Sequence, residues 1–149
     1  MASGFTFDVS NFNASIDELK KRVNSATRDA TAIGGHLIEG NAKRGFEGSH
    51  AKGQPHVGGN KPNVVSGTLY RSIKLIPDSP EPVGLGVWRV TVAPTTVYGR
   101  RIELGFHGAD SLGRNYNQSG MPFLKPGLDR AIPILPRIFN DAWRVALGV

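Results

Sequence analysis

The residues of this chain whose side chains could do chemistry are its four histidines and its twelve acids. His50 and His56 lie six residues apart in a glycine-rich segment, so two imidazoles could reach one metal ion. We expect no ordered carboxylate beside them, and no histidine pair has the spacing of a helical zinc site. A metal-dependent hydrolase that uses these two histidines stays an alternative, but we expect no metal and no other cofactor.

The nucleophile and phosphate-binding motifs of common enzymes are missing from the sequence. No serine stands in a G-x-S-x-G turn, no glycine-rich segment has the G-x-x-x-x-G-K-[ST] form, and there is no cysteine. The acids are spread along the chain without pairing in sequence. We therefore expect no enzymatic activity.

Glu103 is the acid with the most suggestive surroundings. It lies in the segment TVYGRRIELG, which we interpret as a strand, and alternation would place Arg101 and Glu103 on the same strand face. One interpretation is a surface ion pair, worth under about 1 kcal/mol. The other is a charge presented to a partner across a subunit boundary. The sequence slightly favours the ion pair.

The formal net charge of +6 suggests an acidic partner or nucleic acid. Basic residues form one tight cluster, Lys20 to Arg22, and are otherwise paired or single, whereas a dedicated DNA-binding arm would be denser. We favour a solvated surface with an acidic partner. A small basic protein that binds nucleic acid without sequence preference remains the alternative. No apolar run reaches the roughly 18–20 residues of a membrane span, and the first residues do not resemble a secretory signal.

The periodicity of the first third of the chain predicts a helix over 14–44. Ser15 and Glu18 have the spacing of a capping box, and the apolar residues behind them recur every three or four positions in one narrow stripe. Residues 1–13 are then an N-terminal arm. Residues 45–65 are rich in glycine and read as a flexible loop, which is either a mobile surface loop or an arm that orders against a neighbouring subunit.

The rest of the chain predicts short strands followed by a second helical region. A helical turn at 66–73 leads into a strand at 74–76, and alternation predicts a strand at 86–93 that pairs with a return strand at 97–104. Residues 106–120 read as a second long loop. The final helix should break near 131–136, where two prolines interrupt it, and be best formed over 135–147.

The sum is one α+β domain over residues 1–149. A long N-terminal helix and a C-terminal helix pack on a small antiparallel sheet, with long glycine-rich loops.

Three segments together resemble a known family. Residues 64–73, VVSGTLYRSI, resemble the V-x-T-G-x-L-x-x-S-I signature of phage head–tail joining proteins, also called tail-completion proteins. Residues 97–105, VYGRRIELG, resemble its Y-A-x-x-x-E-x-G strand, and residues 121–128, MPFLKPGL, its P-F-L-x-P-A entry to the last helix. The sequence departs from the family pattern with serine for threonine at Ser66, with glycine for alanine at Gly99 and Gly127, and with a longer loop at 106–120.

The motif residues have structural explanations in turns, helix caps and core anchors. Ser66 can cap the short helix through its hydroxyl, and Pro126 can start the last helix, where a missing N–H costs nothing. We expect structural roles for the following residues: Ser66, Gly67, Leu69, Ser72, Ile73, Tyr98, Gly105, Pro122, Phe123, Leu124 and Pro126.

The resemblance implies a structural virion protein of the neck of a long-tailed bacteriophage. Such a protein forms a ring, expected to be a hexamer, between the connector or stopper and the tail tube or tail terminator, and the genomic DNA passes through its lumen. It would be made in the host cytoplasm and would act without a membrane. We expect the two long loops to make the contacts, with Arg100, Arg101 and Glu103 nearby. The loop residues expected at the interface are His50, Lys52, His56, Lys61, Arg114 and Tyr116.

Overall fold

The computed structural model of the chain describes residues 9–56 and 60–149. Within that part the chain forms five helices and four strands, and the strands make two separate antiparallel pairs. In chain order these elements are α1 (Ser10–Lys43), α2 (Thr68–Ser72), β1 (Ile73–Gly84), β2 (Val87–Pro94), α3 (Gly99–Leu104), β3 (Gly105–Ala109), β4 (Asn115–Ser119), α4 (Leu124–Ala131) and α5 (Leu135–Leu147). The fold is α+β, as predicted.

The long first helix begins earlier than predicted, and the predicted capping box is wrong. Ser15 lies inside α1, where its hydroxyl donates a hydrogen bond to the carbonyl of Asn11 at 2.9 Å. A serine inside a helix can bond back to the residue four positions earlier, so it does not mark the start. Residues 10–13 of the predicted arm therefore belong to α1, and residues 1–8 lie outside the described residues.

The hairpin of β1 and β2 extends much farther than the predicted strand at 74–76. β1 continues through three prolines because each strand of a two-stranded sheet is an edge, where a missing N–H is tolerated. The register shifts between Ile76 and Glu81, which places an irregularity at the prolines. The alternation predicted for β2 is confirmed, since Trp88, Val90 and Val92 are half-buried while the residues between them are exposed.

The predicted return strand at 97–104 is wrong, because most of this segment is the short helix α3. The strand that pairs with β2 is β1, which precedes it in the chain, and not a strand that follows it. Helical geometry also removes the predicted Arg101–Glu103 ion pair, since residues two apart do not face each other on a helix.

The predicted loop at 106–120 is also wrong, because it is mainly the hairpin of β3 and β4. Five consecutive residue pairs form its ladder, from Gly105 with Ser119 to Ala109 with Asn115. Its turn is fixed by Asp110, whose carboxylate accepts hydrogen bonds from the backbone N–H groups of Leu112 and Arg114. Glycine, serine and asparagine are poor strand formers, so the composition hid a strand that backbone pairing specifies.

The core sits where the C-terminal half of α1 meets the other elements. Ala42, Ile73 and Phe123 are fully buried and contact one another, and partly buried residues such as Phe46 and Leu124 pack around them. Closer to the middle of α1, a side chain at Gly34 would meet Leu135 of α5, and one at Gly35 would meet Leu75 and Val90 of the β1–β2 hairpin. α1 therefore lies between the C-terminal helices and the hairpin.

The C-terminal region divides into α4 and α5 as predicted, with the break at residues 132–134 and the longer helix over Leu135–Leu147. Among residues 9–56 and 60–149 no helix is both long and apolar enough to cross a bilayer.

Candidate assembly interface

The N-terminal half of α1 has little of its own chain to pack against. At about 1.5 Å per residue, the 34 residues of α1 span about 51 Å, whereas the 13 residues of α5 span about 20 Å. The first buried residue of α1 is Ala30. Phe12 is 65% exposed, and no residue of α1 from Ser10 to Asp29 is buried.

Two tryptophans fix the neighbouring elements to the middle of α1. The indole N–H of Trp88, on β2, donates to the side-chain oxygen of Asn24 at 3.0 Å, and that of Trp143, on α5, donates to the hydroxyl of Thr27 at 2.9 Å. An indole nitrogen is only a donor, so each bond satisfies the one polar group of a large apolar side chain. On the N-terminal side of these two contacts α1 contains no buried residue, and only Ile16, Leu19 and Val23 are half-buried.

The first groove lies between the tip of the β1–β2 hairpin and α5. It has a volume of about 550 Å³ and is lined mainly by Ile16, Leu19, Val23, Leu85 and Trp143. Leu85 stands between two glycines at the hairpin tip, and its side chain is fully exposed. Leu85 therefore adds one exposed apolar side chain beside an apolar groove.

The second groove lies on the other side of α5. It has a volume of about 700 Å³, and its apolar floor is formed by Ala26, Ala30, Ile33, Ala142 and Val145. Val145 is 80% exposed and Ile33 is 55% exposed. Charged residues of α1 and α5 stand around it, among them Lys21, Arg22 and Asp141. The surface is therefore an apolar floor with a charged rim, which is the usual composition of a protein–protein interface.

The loop predicted at 45–65 is closed at its base. The N–H of Glu47 donates to the carbonyl of Pro62, the N–H of Val64 donates to the carbonyl of Gly48, and Ser49 and Val64 form a parallel bridge. Lys61 pairs with Glu47 at 2.5 Å, and this hydrogen bond and charge lower the pKa of Glu47. Residues 57–59 of the loop lie outside the described residues.

Two of the predicted contact residues in this loop, His50 and His56, lie close together, whereas Lys52 does not line the same pocket. The rings of His50 and His56 lie 6.5 Å apart, edge to face, and line a pocket of about 350 Å³ with Phe46, Tyr70 and Tyr98. Lys52 is exposed on the loop. Within residues 9–56 and 60–149 no group of three or more histidines and acids stands close enough to hold a metal ion.

The predicted contact residues of the second region form a stack on the β3–β4 hairpin. The guanidinium of Arg101 lies 3.9 Å from the ring centroid of Tyr116 and 4.3 Å from that of Phe106, where cation–π attraction is worth about 0.5–2 kcal/mol. Arg114 bonds to Asp110 at 2.7 Å, and this hydrogen bond, helped by backbone N–H donors, lowers the pKa of Asp110. Arg101 is thus engaged within the fold, whereas Arg100 is exposed.

Glu103 has a role within the chain that neither interpretation of the sequence included. Its carboxylate accepts hydrogen bonds from the backbone N–H groups of Phe123, Leu124 and Lys125, at 2.7, 2.9 and 3.0 Å. The next residue, Pro126, has no N–H, so the start of α4 leaves no donor unsatisfied. The negative charge also stabilises the positive end of the helix dipole. Glu103 is therefore a helix cap supplied from a distant part of the chain.

The other motif residues build the junction around this cap. The hydroxyl of Ser66 accepts a hydrogen bond from the N–H of Thr68 at 3.3 Å, although the N-cap residue of α2 is Gly67. Ser72 bonds back to Leu69, Ile73 and Phe123 are in the core, and Tyr98 is the N-cap residue of α3. Pro122 is exposed, and α4 begins at Leu124, not at Pro126 as predicted.

Two glycines of the motifs stand where a larger residue could not. Gly105 has a φ of +79°, and a side chain there would meet backbone atoms of residues 118–120 at 2.6–3.0 Å. A side chain at Gly127 would lie 2.7 Å from the backbone nitrogen of Ala42. The departure from alanine at Gly127 therefore has a physical reason, which is the close packing of α4 against α1.

Comparisons of the chain with models of known protein families, with curated proteins and with solved structures find no match.

Sequence reasoning missed Leu85, Val145 and Ile33 as surface features. The apolar stripe of α1 was visible, but it did not say which part of the stripe the chain covers. One signal was available in the sequence. The predicted first helix was more than twice as long as the best-formed predicted helix at the C-terminal end, so that helix alone could not cover the whole stripe.

Proposed function

We propose that this chain is a structural protein of the neck of a long-tailed bacteriophage, where it forms a ring that joins the head to the tail and lets DNA pass. The observation that carries the proposal is the apolar surface along α1. Phe12, Ile33, Leu85 and Val145 are exposed there in a chain whose only fully buried large side chains, among the described residues, are Ile73 and Phe123. Such a surface is typical of a subunit that is completed by assembly.

The three motifs support a scaffold role. Gly67 begins a helix, Glu103 caps another, Gly105 makes a turn that only glycine fits, and Phe123 fills the core. These are the positions through which the chain resembles head–tail joining proteins. None of them is arranged to attack, protonate or polarise a substrate.

The proposal includes the following partners: further copies of the chain in a ring, the connector or stopper protein on the head side, the tail-tube or tail-terminator protein on the tail side, and the DNA in the lumen. The net charge of +6 suits passage of a polyanion. The place of action would be the virion neck, after synthesis in the host cytoplasm.

The test is to disable the gene in the phage that carries it and to image the products of infection by electron microscopy. We expect DNA-filled heads and finished tails that remain separate, and joined particles when the chain is supplied in trans. Joined, infectious particles without the chain would contradict the proposal, as would particles blocked before DNA packaging.

The net charge also supports the rival function of a small protein that binds nucleic acid without sequence preference. The discriminating measurement is the affinity for duplex DNA at several salt concentrations. Tight binding that falls steeply with salt would favour the rival function, because it reports release of counterions from the phosphates. Negligible binding by a chain that forms closed rings would favour the neck protein.

A further inference from the structure

A turn in the 45–65 loop brings two histidines to one pocket. The N–H of Gln54 donates to the carbonyl of Ala51 at 3.0 Å, and Gly53, inside this turn, has a φ of +85°, which glycine adopts at little cost. The turn reverses the chain between His50 and His56. Their rings therefore lie 6.5 Å apart and line the same pocket, although the residues are six positions apart in sequence.

The carbonyl of Ala51 also determines which nitrogen of His50 can bind a metal ion. This oxygen lies 2.9 Å from Nδ1 of His50, and a carbonyl can only accept a hydrogen bond. Nδ1 therefore carries the proton, and in the neutral ring the lone pair is on Nε2. A backbone carbonyl bonded to the other ring nitrogen is the usual support of a histidine that binds a metal, because it orients the ring and makes the ligand nitrogen more basic.

The spacing of the two rings is close to what one metal ion requires. A tetrahedral zinc ion with two imidazole ligands at 2.0–2.1 Å holds the ring centres roughly 5 Å apart, so the pair has to close by roughly 1.5 Å. His56 is exposed, so a rotation of its side chain can supply this movement without refolding the loop. The backbone bonds from Glu47 to Pro62 and from Val64 to Gly48 meanwhile keep the base of the loop closed.

The lining of the pocket favours one class of cation. Among the described residues that line it there is no lysine, arginine, aspartate or glutamate. No fixed positive charge there repels a metal ion, and imidazole nitrogen suits zinc, nickel and copper, whereas magnesium and calcium prefer oxygen. Ser66, Thr68 and Gln118 also line the pocket and can hydrogen-bond to water molecules on the metal. With no carboxylate to serve as a base, the pocket is suited to binding a metal and not to hydrolysis.

The geometry points to a site in which His50 and His56 together bind one divalent transition-metal ion of the zinc class. The ligands are Nε2 of His50 and one ring nitrogen of His56, and water fills the remaining positions. Two protein ligands bind a metal less tightly than the four of a structural zinc site. The bound ion fixes the outer part of the 45–65 loop to the pocket. This inference does not depend on the proposed function in the phage neck.

The test is a calorimetric titration of the whole chain with Zn²⁺, with Mg²⁺ as the comparison ion. His50→Ala and His56→Ala each remove one ligand. The matched controls are His36→Ala on α1 and His107→Ala on β3, which remove the other two histidines of the chain, both exposed. Circular dichroism checks that each variant is folded.

We expect the wild-type chain and both controls to bind one equivalent of Zn²⁺ with the same affinity and to bind no Mg²⁺. His50→Ala and His56→Ala should each weaken Zn²⁺ binding at least about tenfold, because the ion loses one of its two protein ligands. Nitrogen NMR spectra of the histidine rings should show that Zn²⁺ shifts Nε2 of His50 and leaves its Nδ1 protonated.

Several results would overturn the inference. The absence of saturable binding up to millimolar Zn²⁺ is one, and an unchanged affinity in His50→Ala or His56→Ala is another. An equal loss in His36→Ala or His107→Ala would mean that any exposed imidazole serves as a ligand. If His50→Ala fails to fold, His56→Ala and the nitrogen spectrum still decide the question. None of these results bears on whether disabling the gene separates heads from tails.

Discussion

The two halves of α1 carry the same stripe of apolar residues but have different surroundings. The anchored half, residues 26–43, lies between the C-terminal helices and the β1–β2 hairpin and contains every buried residue of the helix. The bare half, residues 10–25, contains no buried residue: Ile16, Leu19 and Val23 are half-buried in a groove with Leu85 and Trp143, and its other side chains are exposed. The comparison teaches that an amphipathic stripe tells us that a helix needs a partner, but not whether that partner belongs to the same chain.

The bare half also depends on the anchored half for its helical form. An isolated helix shorter than about 12–15 residues is marginal in water, because the cost of nucleation is repaid only slowly by further hydrogen bonds, and the bare half is only slightly longer than this limit. Here the anchored half supplies the nucleus, and the bare half continues from it. A covering subunit would then add stability where the chain itself supplies least.

The largest expected difference between the halves is in amide hydrogen exchange. In the dilute chain, amides of residues 30–42 should exchange at least about 100-fold more slowly than those of residues 14–24, equivalent to roughly 2.8 kcal/mol of opening free energy. Exchange followed by mass spectrometry measures this directly. Equal protection of the two halves would remove the distinction.

A second comparison concerns two phenylalanines, one in the core and one on the bare half. Phe123→Ala should lower the free energy of unfolding by about 3–5 kcal/mol, because it leaves a cavity beside Phe46 and Ile73 in the core. The control, Phe12→Ala in the bare half, should change it by less than about 0.5 kcal/mol in the monomer. Urea denaturation measures both values. A similar loss in the two variants would mean that the bare half is packed after all.

Two glycines of the anchored region give a comparison of intermediate size. Gly127→Ala should cost about 1–3 kcal/mol, because its new methyl group would press on the backbone of Ala42. Gly40→Ala should stabilise the chain by up to about 1 kcal/mol, since the nearest atom to its new methyl group is 4.0 Å away and alanine favours a helix. Thermal unfolding of the pair should therefore shift in opposite directions. A stabilising Gly127→Ala would contradict the close contact of α4 with α1.

The smallest expected effect concerns the helix cap. Glu103→Gln keeps the shape of the side chain but removes the charge and replaces one of the two acceptor oxygens with an NH2 group. It should therefore lower the free energy of unfolding by about 1–2 kcal/mol. Glu18→Gln, at an exposed acid on the bare half, should change the monomer by less than about 0.5 kcal/mol. The unfolding free energies of both variants decide the point. If Glu103→Gln unfolds like the wild type, the cap does not stabilise α4.

The sequence by itself determined the features that depend on neighbours along the chain. The apolar stripe specified α1, alternation specified β2, and the prolines at 133 and 136 placed the break before α5. The same local reasoning failed for Ser15, because a serine that caps a helix and one that bonds back within it have the same neighbours. Local reasoning also predicted a loop at 106–120, because the composition has poor strand propensity. This prediction failed because strand pairing and the stacking of Arg101 on Tyr116 outweigh that propensity.

Only the tertiary structure decided what depends on residues far apart in sequence. Glu103 caps α4 across about twenty positions, and Gly127 is required by Ala42 on another helix, so no local pattern could have identified either role. The same holds for the two halves of α1. Their stripe was legible in the sequence, but its uncovered part is set by where α5 and the hairpin end, because burial is a property of the packed elements and not of any one segment.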